Sequence, residues 1–71
     1  MISYRPLKRM LVEKGYSMRR MIEEAGISNE VATRFSKNQS VTLAVINKVC
    51  TFFKCQPSNV IVYLEDDDAD I

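Results

Sequence analysis

Residues 17–37 constrain the fold more than any other part of this chain. Ser17 and Ser28 each precede a short stretch with helical periodicity. Serine caps a helix well because its hydroxyl accepts a hydrogen bond from a free amide of the first turn. Gly26 lies between the two stretches and can adopt the left-handed conformation that ends a helix. The segment therefore predicts two short helices joined by a tight glycine turn.

The second of these helices has two chemically different faces. At about 100° per residue, its polar and apolar side chains fall on opposite arcs. The polar arc holds Asn29, Glu30, Thr33, Arg34 and Lys37, and the apolar arc holds Val31, Ala32 and Phe35. Such a helix packs one side on a small domain and can offer the other to the major groove of DNA. The alternative is an ordinary solvated face, which any surface helix has.

The segments around this pair also predict helices. A first helix is expected to begin at residues 4–6 and to end at Lys14 before Gly15, with Leu7, Met10 and Leu11 on its inner face. A fourth helix, capped by Thr42 or Ser40, is expected from Leu43 to about Lys54. Its predicted inner seam consists of Leu43, Ile46, Cys50 and Phe53.

The C-terminal part of the chain gives a mixed signal. The Pro-Ser-Asn start at residues 57–59 favours a helical turn, whereas the β-branched residues 60–62 favour a strand. We expect a helical turn at about 58–61 followed by extended chain, which Ile2 and Tyr4 could join in a two-stranded ribbon. The predicted fold class is all-α, a bundle of four to five helices with a possible short β pairing of the two ends.

Charge divides the sequence into two parts. Residues 1–64 hold ten Lys and Arg and four Glu, a net +6, and residues 65–71 hold five Asp and Glu, a net −5. We expect 1–64 to form one domain and 65–71 to be an acidic, disordered tail. The basic part can attract a polyanion, and the tail either competes for that basic surface or only aids solubility.

Other function classes find little support in the composition. The chain of 71 residues has no histidine and two glycines, so it lacks a nucleophile–base pair and a phosphate-cradling loop. Cys50 and Cys55 have the wrong spacing for a CxxC pair, and a buried thiol is favoured over a disulfide or redox switch. No apolar run reaches the roughly 20 residues of a membrane span. We expect no catalytic residue, metal, cofactor, small-molecule ligand or membrane contact, and a cytoplasmic location.

The order of these elements, with Ile2-Ser3-Tyr4, Gly26-Ile27-Ser28 and Cys55-Gln56-Pro57, resembles the Cro/repressor (XRE) helix-turn-helix family, in particular its compact single-domain bacterial branch. The likeness covers about residues 2–65. It implies a lambda-repressor-like bundle in which the helix at about 28–37 enters the major groove of double-stranded DNA.

The resemblance implies base contacts from Asn29, Glu30, Thr33 and Arg34. Their chemistry agrees, because Asn can bond adenine, Arg can bond guanine and Glu can accept from cytosine N4. Glu30 has a second possible role, since it lies four residues before Arg34 and can orient that guanidinium.

A second set of side chains is suited to the DNA backbone. Helix amino ends present free amides to anions, and cations near them add attraction. The predicted phosphate contacts are Ser17, Arg19, Ser28, Lys37 and Asn38. For Arg5, Lys8 and Arg9, on the first helix, plain solubility is the favoured account.

Two binding functions stay open. The first is a transcriptional regulator, most simply a repressor, acting as a homodimer on a palindromic operator with half-sites about 34 Å apart. The second is an antitoxin-like or other protein-interaction module that uses the apolar C-terminal segment. The predicted dimer patch consists of Val45, Val49, Val60, Val62 and Leu64.

Overall fold

Four α-helices and a two-stranded antiparallel sheet make up the described part of the chain, residues 1–65 of a computed structural model. The elements in chain order are β1 (Ile2–Ser3), α1 (Arg5–Lys14), α2 (Met18–Ala25), α3 (Asn29–Ser36), α4 (Leu43–Phe53), a 3₁₀ turn (Pro57–Asn59) and β2 (Val62–Tyr63). The predicted fold class is confirmed. The predicted acidic tail lies outside the described residues except for Glu65.

Side-chain caps set where three of the helices begin. The hydroxyls of Ser17, Ser28 and Thr42 accept hydrogen bonds from backbone amides three residues ahead, in the first turns of α2, α3 and α4. Gly15 (φ 71°) and Gly26 (φ 73°) end α1 and α2 in the left-handed conformation. These bonds satisfy amides that a helix leaves free at its start, and the glycines adopt positive φ without a steric penalty.

The two ends of the domain meet in the small sheet. Ile2 is opposite Tyr63 and Ser3 is opposite Val62. The backbone amide of Leu64 also donates to the carbonyl of Met1 at 2.8 Å. The predicted ribbon is therefore present, with β1 ending one residue before Tyr4.

One apolar core holds the helices together. Its largest fully buried side chains are Phe35, Leu7, Met21, Val49 and Val60. The predicted inner face of α1 is buried as expected. Because Phe35 belongs to α3 and is completely buried, the core fixes α3 by one face and leaves its other face at the surface.

Three apolar residues lie elsewhere than predicted. Leu43 does not belong to the inner seam of α4, because its relative exposure is 83 %. The inward direction of α4 falls between Ile46 and Val49, and Leu43 lies about 90° around the helix from it, in the first turn. Val49 and Val60 are completely buried within the domain, so neither can belong to a dimer patch.

No helix within residues 1–65 is long and apolar enough to cross a membrane.

Candidate nucleic-acid interface

The polar face of α3 lies at the surface as the periodicity predicts. Asn29, Glu30, Thr33 and Lys37 are exposed and Arg34 is partly exposed. Phe35 holds the opposite face in the core, flanked by the half-buried Val31 and Ala32. The helix therefore presents a row of polar side chains on a rigid support.

Glu30 and Arg34 form an ion pair on this face. The Arg34 guanidinium donates from Nη2 to Glu30 Oε1 at 2.6 Å, and the side chains retain 40 % and 73 % of their exposure. The ion pair that the four-residue spacing allows is thus present, and both roles considered for Glu30 stay predictions. An ion pair this exposed contributes about 0.2–1 kcal/mol, so a base edge can displace the carboxylate at small cost.

The amino end of α2 carries two arginines in different environments. Arg19 is 86 % exposed, and its Nε lies 3.8 Å from Glu23 Oε1. Arg20 donates to Glu24 Oε2 at 2.7 Å, and its guanidinium lies 4.2 Å from the centre of the Tyr16 ring. The hydrogen bond to Arg20 lowers the pKa of Glu24, and the same contact raises the pKa of Arg20. Arg19 is therefore the more available of the two for a phosphate.

The carboxyl end of α3 is closed by backbone bonds around Asn38. Asn38 has a φ of 56°, and the amide of Gln39 donates to the carbonyl of Arg34 at 2.8 Å. Asparagine is the residue after glycine that most often takes this left-handed position. The side-chain oxygen of Asn38 accepts the backbone amide of Tyr4 at 3.2 Å. Its side-chain NH₂ is then the group that can donate to a phosphate.

Tyr4 contacts the same helix end from the amino-terminal side. Its hydroxyl donates to the Gln39 carbonyl at 2.6 Å, and its ring meets Phe35 edge-on, with centroids 4.8 Å apart. Burial raises the pKa of Tyr4, against a smaller opposing effect of the Val41 backbone. The side chain thus ties the last turn of α3 to the β ribbon. Sequence reasoning missed this role, because it depends on residues 34 to 35 positions apart.

Two lysines outside the predicted phosphate set also reach this side of the domain. Lys48 Nζ donates to the carbonyl of Gly26 in the α2–α3 turn at 3.4 Å, and Lys8 Nζ lies 3.5 Å from the carbonyl of Ser36. The other predicted anchors, Ser17 and Ser28, are exposed at the starts of α2 and α3. One lysine ammonium group therefore lies near each end of α3.

No group of three or more His, Cys, Asp or Glu side chains in the described part of the chain is placed to hold a metal ion.

A small bundle whose third helix is capped by serine, buried on one side and polar on the other has the architecture of a helix-turn-helix DNA-binding domain. Residues 6–66 match the family of Cro/C1-type HTH DNA-binding domains, and the chain belongs to that family. This confirms the resemblance inferred from the sequence.

A solved structure agrees with this assignment. The fold is similar to the crystal structure of the transcriptional regulator VanUg, with a TM-score of 0.87 and 25 % sequence identity over 92 % of this chain and 87 % of that one. No curated protein matches the sequence. The fold and the family together support a DNA-binding regulator.

Proposed function

We propose that the protein is a sequence-specific transcriptional repressor that binds double-stranded DNA with α3 in the major groove. The observation that carries the proposal is the division of α3, with Phe35 completely buried and Asn29, Glu30 and Thr33 exposed on the other side. A rigid helix with a polar outer face is what direct readout of base edges requires.

Base readout is assigned to Asn29, Glu30, Thr33 and Arg34. Arg34 is the main reader, because a guanidinium can donate to guanine O6 and N7 at the same time. Glu30 holds Arg34 at 2.6 Å in the free protein, which limits the arrangements that the arginine can adopt before it meets DNA. Asn29 and Thr33 lie on the same exposed face and would contact neighbouring bases.

Phosphate anchoring is assigned to Ser17, Arg19, Ser28, Lys37 and Asn38. Backbone amides at the starts of α2 and α3 favour anions there, and Arg19 adds a cation that is largely exposed. These contacts would set the register of α3 without reading sequence.

Selection of bound sequences from a random duplex pool tests the base assignment. Arg34→Ala is expected to lose preference at one base-pair position, at a cost of about 1–3 kcal/mol, while non-specific binding remains. Arg9→Ala, on the exposed surface of α1, is the matched control and should keep the preference. Lys37→Ala should weaken binding to all duplexes alike. It should also reduce the slope of log affinity against log salt concentration by about one. An unchanged sequence preference in Arg34→Ala would contradict the assignment.

Repression is the simplest regulatory outcome of such binding, since a protein seated on an operator blocks the polymerase. Transcription in a purified system from a promoter that overlaps the selected sequence should fall as the protein is added. A rise in transcript would overturn repression and leave DNA binding intact.

We further propose that two copies bind a palindromic operator, because one short helix reads too few base pairs for high specificity. With Val49 and Val60 buried, the second copy must use other apolar side chains. Leu43, Ile2 and Tyr63 are exposed, and Leu43 and Ile2 line a groove of about 350 Å³ beside the loop that follows α3. Asn38 and Gln39 line the same groove, so a contact here would lie beside the end of α3.

Sedimentation over a concentration series tests the dimer. Leu43→Asp should shift the equilibrium towards monomer, whereas Val12→Asp, at a matched exposure of 81 % on α1, should not. An acidic residue is compatible with the first turn of α4, so the Leu43 variant should stay folded. A wild-type chain that is monomeric throughout, with and without operator DNA, would exclude the homodimer and favour a module that binds another protein.

A further inference from the structure

The end of α4 brings the two cysteines of the chain together. Lys54 adopts the left-handed conformation, with φ 55°, and its amide donates to the carbonyl of Cys50. The amide of Cys55 donates to the same carbonyl at 3.0 Å. The bond from Cys55 is the six-to-one bond of a Schellman-type helix end, which brings the residue after the left-handed position close to the residue five positions earlier.

The backbone bond limits how far apart the two residues can be. An N···O distance of 3.0 Å, extended by standard bond lengths at each end, places the two Cα atoms at most about 7 Å apart even if all bonds were in line. Disulfide-bonded cysteines have Cα atoms about 4.4–6.8 Å apart. The limit holds only for a straight line of bonds, and any bend in that line shortens the distance, so the turn at Lys54 brings the two cysteines close to the range of a disulfide.

The two thiols are also neighbours and are open to reagents. Both side chains are partly exposed, and the backbone bond from Cys55 to Cys50 brings the two residues side by side. Cys55 lines an open pocket of about 560 Å³ together with Met10, Glu13 and Lys14. A small disulfide can reach Cys55 through this pocket. Cys50 is thus not the fully buried thiol that the sequence favours.

We propose that Cys50 and Cys55 form a reversible dithiol–disulfide site that reacts with low-molecular-weight disulfides such as oxidised glutathione. In the first step, one cysteine thiolate attacks glutathione disulfide, forms a mixed disulfide and releases one glutathione thiolate. In the second step, the other cysteine thiolate attacks the protein sulfur, closes the Cys50–Cys55 bond and releases the second glutathione thiolate. The chain gives up two electrons and two protons, and two glutathione thiols are produced.

The environment of Cys55 makes the closure depend on pH. Burial raises the pKa of Cys55, the neighbouring Cys50 adds to this effect, and Lys14 opposes it. The attacking species is the thiolate, so the rate should increase as the pH rises towards the pKa of Cys55 and level off above it.

Equilibration of the full chain in glutathione buffers tests the site. After alkylation in denaturant, mass spectrometry should show conversion from a doubly alkylated chain to an unalkylated monomer that has lost two hydrogens. The same equilibrium measured in urea gives the reference for thiols that the fold does not hold together. The equilibrium constant for disulfide closure should be at least about tenfold larger in the folded chain than in urea, which corresponds to about 30 mV in reduction potential.

Cys50→Ser and Cys55→Ser are the matched controls, and each should stop at the chain carrying one glutathione. The proposal is overturned if the folded wild-type chain gains two glutathiones without closing. It is equally overturned if closure is no more favourable in the folded chain than in urea. Because the measurement uses no DNA, it is independent of the proposed repressor function.

Discussion

Replacing Tyr4 by Phe isolates one hydrogen bond at the end of the proposed recognition helix. The change removes the hydroxyl that donates to the Gln39 carbonyl at 2.6 Å and retains the ring, whose edge-on contact with Phe35 has a centroid distance of 4.8 Å. The backbone amide of Tyr4 can still donate to Asn38. The variant therefore loses one polar contact and almost no apolar packing.

The expected cost follows from the surroundings of the two partners. A net intramolecular hydrogen bond contributes about 0.5–1.5 kcal/mol, and more is lost when the remaining partner is buried without a substitute. Gln39 is exposed, so water can replace the hydroxyl at its carbonyl. We expect a loss of about 1 kcal/mol, which for a domain of this size lowers Tm by roughly 4–8 °C.

Tyr16→Phe is the matched control in thermal unfolding. Its hydroxyl donates to exposed Glu24 at 3.3 Å, so its removal should cost well below 1 kcal/mol. The two variants differ in the location of the lost hydroxyl and not in chemistry. Equal Tm values for the Tyr4 variant and the wild type, or equal losses in both variants, would show that Tyr4 does not hold the end of α3.

Alkaline unfolding gives an independent readout of the same side chain. Burial raises the pKa of Tyr4 above its ordinary value of 10.0. A raised pKa in the folded state contributes stability that is present below pH 10 and is lost as the pH rises through the folded-state value. Wild-type protein should therefore lose more stability than Tyr4→Phe above pH 10. Parallel curves for the two proteins would contradict a buried Tyr4 hydroxyl.

Three further predictions use other parts of the chain. Lys54→Gly removes the steric cost of a side chain at positive φ. In chemical denaturation it should leave the free energy of unfolding unchanged or raise it by up to about 1 kcal/mol. The control Lys54→Ala keeps a Cβ and should give no gain. Glu24→Gln should reduce the loss of stability on acidification. The pKa of the Glu24 carboxyl is lowered, so this group contributes stability above pH 4.5 that is lost as the pH falls through its folded-state pKa. Acid titration measures the effect, with Glu23→Gln as the control. Deletion of residues 65–71 removes five acidic side chains and changes the net charge from +1 to +6 (1 + 5). Non-specific binding to duplex DNA should become tighter, most of all at low salt. If the shortened and full chains bind with equal affinity at all salt concentrations, the segment has only a solubilising role.

Local rules were enough to predict most of the secondary structure. A serine or threonine cap and a glycine stop act over three or four residues, so Ser17, Ser28 and Gly26 fix the helix-turn-helix from sequence alone. The outward polar face of α3 also follows from spacing, because an eight-residue helix with Phe35 on one side has little freedom to rotate. These are the features that also carry the family resemblance.

Contacts between distant residues could not be predicted in the same way. The positions of Leu43 and Val60 depend on where α4 first meets the core and on how the chain returns to β1, and neither is encoded within one turn. The left-handed conformation of Asn38 has a local signal in the sequence, since asparagine directly after a helix favours a left-handed end. Its bond to Tyr4, however, requires knowledge of the ribbon.

The Glu30–Arg34 pair depends both on local spacing and on contacts between distant residues. Its spacing is local and predictable, but its consequence depends on the face of α3 that the core leaves exposed. In the proposed complex with DNA, a carboxylate on that face would repel phosphates and weaken binding to any duplex, and a guanine would replace it at Arg34 at small cost. Under the proposed function, such a site would lose non-specific affinity and keep the base discrimination supplied by Arg34. We therefore expect the Glu30 carboxylate to increase sequence selectivity while it lowers overall affinity for DNA.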